Sequence, residues 1–241
     1  MGEIMSKYSK GKSDLKDKFK REMTRGIIFI SFGGAMVLFL GISGNKNFIL
    51  YLLLLLCFCI PGWYFLKGYK YYKYEIRAEE QGIKTLLGLP EEYTVFNSIF
   101  LKGIDGLGIK IDIVIVGPNG VFIVDFKGIN GSIKGKVTEE FWLEEIKGKS
   151  KKQKSLLNLL NKKTKSLDEF FKRKNIDTKV EKSFIYLPLN ETTISLDKKS
   201  ENIVTDNKVL IDKIESYRGV SLSDKNIENI IKSLKLLQRF D

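Results

Sequence analysis

Two uninterrupted apolar runs dominate the first third of the chain. Gly26 to Gly44 (GIIFISFGGAMVLFLGISG) and Phe48 to Leu66 (FILYLLLLLCFCIPGWYFL) each hold 19 residues without a charge, roughly 28 Å as a helix, about the hydrocarbon thickness of a bilayer. Both predict transmembrane helices, and the connector Asn45-Lys46-Asn47 is so short that the two must be antiparallel neighbours. The pattern then changes. Ile76, Ile83, Leu86 and Leu87 predict a helix over Tyr74 to Leu89, closed by Pro90. Tyr93 to Leu101, Ile109 to Val116 and Val121 to Lys127 read as strands joined by glycine-bearing turns. A basic helix is predicted from about Lys151 to Lys174, with Leu156, Leu159, Leu160, Leu167, Phe170 and Phe171 on its apolar side. Further strands are expected at Lys182 to Leu189 and Asn202 to Leu210, before a last helix capped by Ser223 and Asp224, with the stripe Ile227, Ile230, Ile231, Leu234 and Leu237. The chain divides on this reading into a basic arm (1–25), a membrane hairpin (26–66) and an α/β domain (67–241).

Charge orients the hairpin. The net charge is +12, and the arm carries eight basic residues (Lys7, Lys10, Lys12, Lys16, Lys18, Lys20, Arg21, Arg25) against four acidic ones, which suits anionic headgroups. Lys67, Lys70, Lys73 and Arg77 follow the second run, while Lys46 is the one lysine of the connector. Basic flanks stay on the cytoplasmic side, so both termini and the α/β domain are expected there, in a two-helix protein of the cell membrane. Trp63, Tyr64, Tyr69, Tyr71 and Tyr72 form an aromatic anchor at that interface. The basic arm ahead of the first run, and the second run directly after it, predict an uncleaved hairpin rather than a signal peptide.

The side-chain inventory narrows the chemistry. Cys57 and Cys59 both fall within the second apolar run, where they read as lipid-facing or helix-packing residues. The chain contains no histidine, which excludes Ser-His-Asp and Cys-His nucleophilic machinery and the common zinc sites. Hydrolytic chemistry would have to rest on carboxylates, lysine and a hard cation.

IDIVIVGPNGVFIVDFKG, Ile111 to Gly128, is where such chemistry has a place. Proline at the first central position of Gly117-Pro118-Asn119-Gly120 forbids the primed two-residue turns, which need positive φ there. A three-residue loop with a glycine bulge would set Asp112 opposite Phe126. A four-residue loop sets Val116 against Val121, Asp112 across from Asp125 and Lys110 across from Lys127, and leaves Ile109, Ile111, Ile113, Ile115, Phe122, Val124 and Phe126 as one apolar face. The second register is preferred because it gathers the charges at one end of the other face. Two carboxylates about 5 Å apart repel by roughly 3 kcal/mol at an effective dielectric near 20. Such a pair persists if one is protonated, if a lysine intervenes, or if a divalent cation bridges them. The competing reading is a set of edge-strand charges reaching solvent.

Asp112 followed by Asp125-Phe126-Lys127, within LPEEYTVFNSIFL and IDIVIVGPNGVFIVDFKGINGSIKG, resembles the core of the PD-(D/E)XK nuclease superfamily, and specifically its nuclease-related domain, NERD, over about 79–153. The resemblance implies a restriction-endonuclease-like mixed sheet flanked by helices, here preceded by the two transmembrane helices. It also implies Mg²⁺ (or Mn²⁺) held by Asp112 and Asp125, a water positioned by Lys127, an outer ligand or base at Glu80 or its neighbour Glu79, a glycine at Gly131, and Gln153 orienting the site as it opens the following helix. Aspartate stands at 125 where glutamate is commoner, and Lys149-Ser150 stands where the family has asparagine-proline. The alternative for Glu79 and Glu80 is a pair of solvated helix charges, and for Gln153 an exposed polar residue.

Lys147, Lys149, Lys151, Lys152 and Lys154 cluster just downstream, and Lys162, Lys163, Lys165, Lys172, Arg173 and Lys174 continue the basic run. Such a surface suits a phosphate backbone, of DNA first and RNA as the alternative, or an anionic lipid surface. Two functions are therefore expected to compete: Mg²⁺-dependent phosphodiester hydrolysis at the membrane's cytoplasmic face, and a non-catalytic nucleic-acid-binding, scaffold or stress-response module that retains the nuclease fold.

Overall fold

A computed structural model describes residues 6–11, 14–44, 47–102 and 106–238. They fall into two compact units, one within Ser13–Ile76 and one formed by Met1–Lys12 with Arg77–Asp241. Asn45 and Lys46 of the predicted connector and Lys12 of the arm lie outside the described residues, as do the side chains of Tyr69, Lys70 and Tyr71.

After a short strand, β1 (Lys7–Ser9), come helices α1 (Asp14–Ile42) and α2 (Phe48–Leu86). Both are long and apolar enough to cross a membrane. Their contact relies on glycines: a Cβ at Gly33 would fall 2.6 Å from Phe58 Cβ, and one at Gly62 would fall 2.7 Å from Ile30 Cγ1, so small residues let the backbones approach, as in lipid-embedded helix pairs. The outward surface is apolar, with Phe39, Ile42, Phe48 and Ile49 exposed, and so are Cys57 and Cys59. The helix expected from Tyr74 is the last part of α2 rather than a separate element: no proline stands between Leu66 and Tyr74, and the one glycine there, Gly68, costs a helix only about 1 kcal/mol. The described residues of the basic arm are structured, which no periodicity there predicted: α1 begins at Asp14, and Lys7, Tyr8 and Ser9 pair in parallel with Thr94, Val95 and Phe96, a distant partner that local periodicity does not announce.

The α/β unit continues with β2 (Thr94–Lys102), β3 (Gly108–Gly117), β4 (Gly120–Phe126), β5 (Gly131–Gly135), β6 (Phe141–Ile146), β7 (Lys149–Lys154), α3 (Leu156–Arg173), β8 (Val180–Tyr186), β9 (Thr192–Leu196), β10 (Ile203–Val204), α4 (Asn207–Glu215) and α5 (Asp224–Lys235). One mixed sheet runs β1-β2-β3-β4-β8-β10 and a second runs β7-β6-β5-β9. On one face of the first sheet, Val114, Val116, Val121 and Ile123 pack with Leu160, Leu167 and Phe171 of α3 and with Ile230 and Leu234 of α5. On the other, Ile113, Ile115, Phe122 and Val124 pack with Leu86 of α2 and with Leu210 and Ile214 of α4. Helices on both faces of a mixed sheet make the predicted α/β architecture.

Three expectations differ. The basic helix starts at Leu156, not Lys151, with Ser155 as its cap; the preceding lysines form strand β7, and Leu159 is exposed while Leu157 is buried. The strand expected over Asn202 to Leu210 is two residues long, because Asp206 accepts the Val209 N–H and opens α4 there. Finally, Ile109 and Ile111 leave the predicted apolar face and pack with the opposite cluster. Ser98, on the neighbouring strand, has a φ of 56°, and Ile99 and Leu101 beyond it also join that opposite cluster. A left-handed residue reverses the alternation of β2, and β3 follows its partner.

Candidate functional site

The β3–β4 hairpin takes the predicted register, with Val116 paired to Val121 and Gly117 to Gly120 around Pro118 and Asn119. Gly120, at φ 130°, supplies the conformation that lets so short an unprimed turn close. The ladder reaches Ile113↔Val124, and there the sheet forks. β4 continues along β8, pairing Asp125 with Ile185 and Phe126 with Tyr186, while β3 stays with β2, pairing Lys110 with Phe100. Lys110 and Lys127 are therefore not cross-strand partners as the register alone had implied.

Asp112 and Asp125 sit at this fork, and their carboxylates take the place of backbone pairing between the two strands. The Asp112 N–H donates to Asp125 Oδ1 at 3.5 Å and the Phe126 N–H to Asp112 Oδ2 at 3.4 Å, both long bonds. Each aspartate also meets an ammonium: Lys110 Nζ lies 3.6 Å from Asp112 Oδ1, and Lys163 Nζ lies 2.6 Å from Asp125 Oδ2. Burial pushes the Asp125 carboxyl above the usual aspartate range, with the Asp112 charge adding to the rise and Lys163 opposing it.

Lys127 is buried and its Nζ lies 3.6 Å from Glu144 Oε2, whose side chain is only 4% exposed. Glu144 did not figure among the sequence candidates and Lys163 figured only in the basic run, although both had a signal for the buried site. Lys163 is three residues after Leu160 and four before Leu167, both buried, which puts a lysine on the core-facing stripe of α3. Glu144 is two residues after the buried Trp142 in a strand that alternates, which puts a carboxylate on the inner face.

Gln153 is on strand β7, opposite Trp142, and does not open a helix. Lys147 and Gly148 both have positive φ, 50° and 73°, the requirement of a type I′ turn, so the chain doubles back and extends through Gln153. Sharing the Trp142 face places Gln153 diagonally from Glu144, and its buried Nε2 has no hydrogen-bond partner. On α2, Gly82 meets the Phe126 ring, where a Cβ would fall 2.3 Å from Cε1. Glu79, one turn earlier on that side, is buried, and its charge joins burial in raising the Tyr8 hydroxyl to about 12. Glu80 is exposed and lines an open cleft of about 630 Å³ with Arg77, Gln81, Lys84, Thr85 and Asn207.

Lys147, Lys149, Lys151, Lys152 and Lys154 are all exposed on the β6–β7 hairpin, in a strand rather than a helix. Lys149 and Lys151 share the Gln153 face; Lys152 and Lys154 lie on the other, where Lys152 Nζ sits 4.6 Å above the Phe141 ring.

Among the described residues no three His, Cys, Asp or Glu side chains converge as a metal cluster. The facing hard oxygens of Asp112 and Asp125 nonetheless fit magnesium, which is commonly held by one or two carboxylates with water completing the shell.

Residues 75–188 match the family model of NERD, the nuclease-related domain. No curated protein and no solved structure matches the chain.

Proposed function

We propose that this chain, with its nuclease-related domain, is a membrane-anchored nuclease that hydrolyses phosphodiester bonds of DNA at the cytoplasmic face, using a divalent cation held by Asp112 and Asp125. The observation that carries the reading is the fork itself, where the carboxylates of Asp112 and Asp125 meet beside Lys110 and Lys163. The cation, Mg²⁺ or Mn²⁺, supplies Lewis-acid polarisation of a phosphate oxygen and a more acidic water. Lys127, held by Glu144, steadies the attacking water or a phosphate oxygen. The Gln153 amide donates to the same group, which gives its buried Nε2 the acceptor it requires. Glu79 or Glu80 serves as the outer acid or base, and Lys147, Lys149, Lys151, Lys152 and Lys154 hold the strand by charge. Helices α1 and α2 anchor the protein, with basic flanks keeping both termini inside.

A second reading has one observation in its favour. Lys110 and Lys163 already neutralise the two aspartates, so the fork is electrostatically satisfied without a cation, as a non-catalytic nucleic-acid-binding or scaffold module would need. Nicking of supercoiled plasmid by the full chain in detergent, with Mg²⁺ or Mn²⁺, separates the two. The nuclease reading expects cleavage that Asp125→Asn and Asp112→Asn abolish. DNA binding that persists in both variants, without cleavage in any, supports the module.

A further inference from the structure

Lys163 is the charge in this molecule whose position most needs a reason. It projects from the face of α3 that carries Leu160, Leu167 and Phe171 into the core, and its side chain is 20% exposed. A lysine on such a face is unfavourable unless an anion receives it. Asp125 does, at 2.6 Å, against 3.6 Å for Lys110–Asp112 and for Lys127–Glu144. Asp125 is in turn the more enclosed of the two aspartates, with 13% of its side chain exposed against 25% for Asp112. The ammonium thus sits on an oxygen that a divalent cation bound by the pair would also use.

We propose that Lys163 is the resident counter-ion of the Asp112–Asp125 pair and that a divalent cation enters the site by displacing it from Asp125 Oδ2. The inference rests on the reading that this pair binds such a cation. Two like charges at the fork are tolerated in the metal-free protein because α3 delivers a compensating charge. Metal binding is consequently an exchange of one cation for another, and its affinity is set below what two carboxylates alone would give. Lys110 does not have this role: it approaches the more exposed aspartate, from the same strand, at 3.6 Å.

The test is calorimetric titration of Mn²⁺, then Mg²⁺, into the full chain in detergent micelles, comparing the native protein with Lys163→Met and Lys163→Arg. Methionine keeps the length and apolar stem of the side chain, and arginine keeps its charge. The expected result is Mn²⁺ binding at least about tenfold tighter in Lys163→Met, the direction set by removing a unit positive charge from the site, with Lys163→Arg close to the native value. If Lys163→Met is too unstable without metal to titrate, the melting temperature with and without Mn²⁺ reads the same exchange, and a larger Mn²⁺-induced rise than in the native protein is expected. Equal or weaker binding in Lys163→Met, or an equal rise, overturns the counter-ion role while leaving the metal reading intact. Absence of Mn²⁺ and Mg²⁺ binding in all three proteins overturns both.

Discussion

Gly131→Ala is expected to loosen the second sheet and, through it, the lysine of the site. Gly131 opens β5, and a Cβ built there would lie 2.0 Å from the Glu145 carbonyl oxygen, 3.1 Å from its carbonyl carbon and 3.2 Å from Ile146 Cα. The obstruction is backbone, so no rotamer change relieves it. Bringing a methyl carbon and a carbonyl oxygen to ordinary separation requires β6 to retreat by about 1 Å, and forced overpacking of this kind is destabilising by roughly 1–3 kcal/mol. The upper end applies because β6 is held to β5 through Ser132↔Glu145, Ile133↔Glu144 and Lys134↔Leu143. At roughly 2–4 °C per kcal/mol for a domain of this size, about 3 kcal/mol lowers the melting temperature by roughly 6–12 °C. Trp142, buried on β6, reports the change by fluorescence on heating, beside Gly108→Ala, whose Cβ would meet nothing within 4 Å. Because β6 also carries Glu144, the partner of Lys127, the variant should lose nicking activity at temperatures where it remains folded. Melting within about 2 °C of the native protein would refute the packing argument.

Asp125 makes stability depend on pH in a definite sense. Its folded pKa is raised by burial, so the folded state holds the proton more tightly than the unfolded state, and the resulting stabilisation is complete below the unfolded value near 3.9 and lost as pH rises through the folded one. Asp125→Asn, which never ionises, leaves Lys163 without its carboxylate and so carries a constant penalty, but its urea midpoint relative to the native protein should improve as pH rises from about 4 to 7; a relative midpoint that improves on acidification would contradict burial as the dominant cause. Changing Lys149, Lys151, Lys152 and Lys154 together to glutamine should weaken duplex binding and flatten its dependence on log salt by about 0.9 for each phosphate that is no longer neutralised; an unchanged slope in a filter-binding series would place the phosphate-binding surface elsewhere. If α1 and α2 span a bilayer, the chain should stay with vesicles after alkaline carbonate extraction and protease added outside sealed, right-side-out cells should leave the α/β unit intact. Release by carbonate, or cleavage from outside, would refute the anchoring or the orientation respectively.

Much of the first sheet was legible because its signals are local. Alternating or continuous apolar residues marked β2, β3, β4 and β8, and Pro118 restricted the hairpin turn enough to leave the observed register as the preferred choice. Ser223 announced α5 by the same kind of rule, a side-chain acceptor ahead of an apolar stripe. The second sheet was not legible. KSKKQK has the composition of a solvated helix, and it forms β7 because the type I′ turn at Lys147-Gly148 returns the chain against β6, where pairing overrides propensity. β1 and β9 are short strands that exist only by pairing with β2 and β5, far away in the chain.

By itself the sequence determined two helices of bilayer length, an α/β domain without histidine chemistry, and two aspartates that the preferred hairpin register brings across from each other. Periodicity, turn sterics and side-chain inventory suffice for those, since each acts within a few residues. Tertiary structure alone decided which charges meet. Lys127 pairs with Glu144 from another sheet, Lys163 reaches Asp125 from a helix 38 positions later in the chain, and Gln153 presents a buried amide from a strand. Those partnerships come from packing one layer on another, where an ion pair forms because burial leaves no water to take its place.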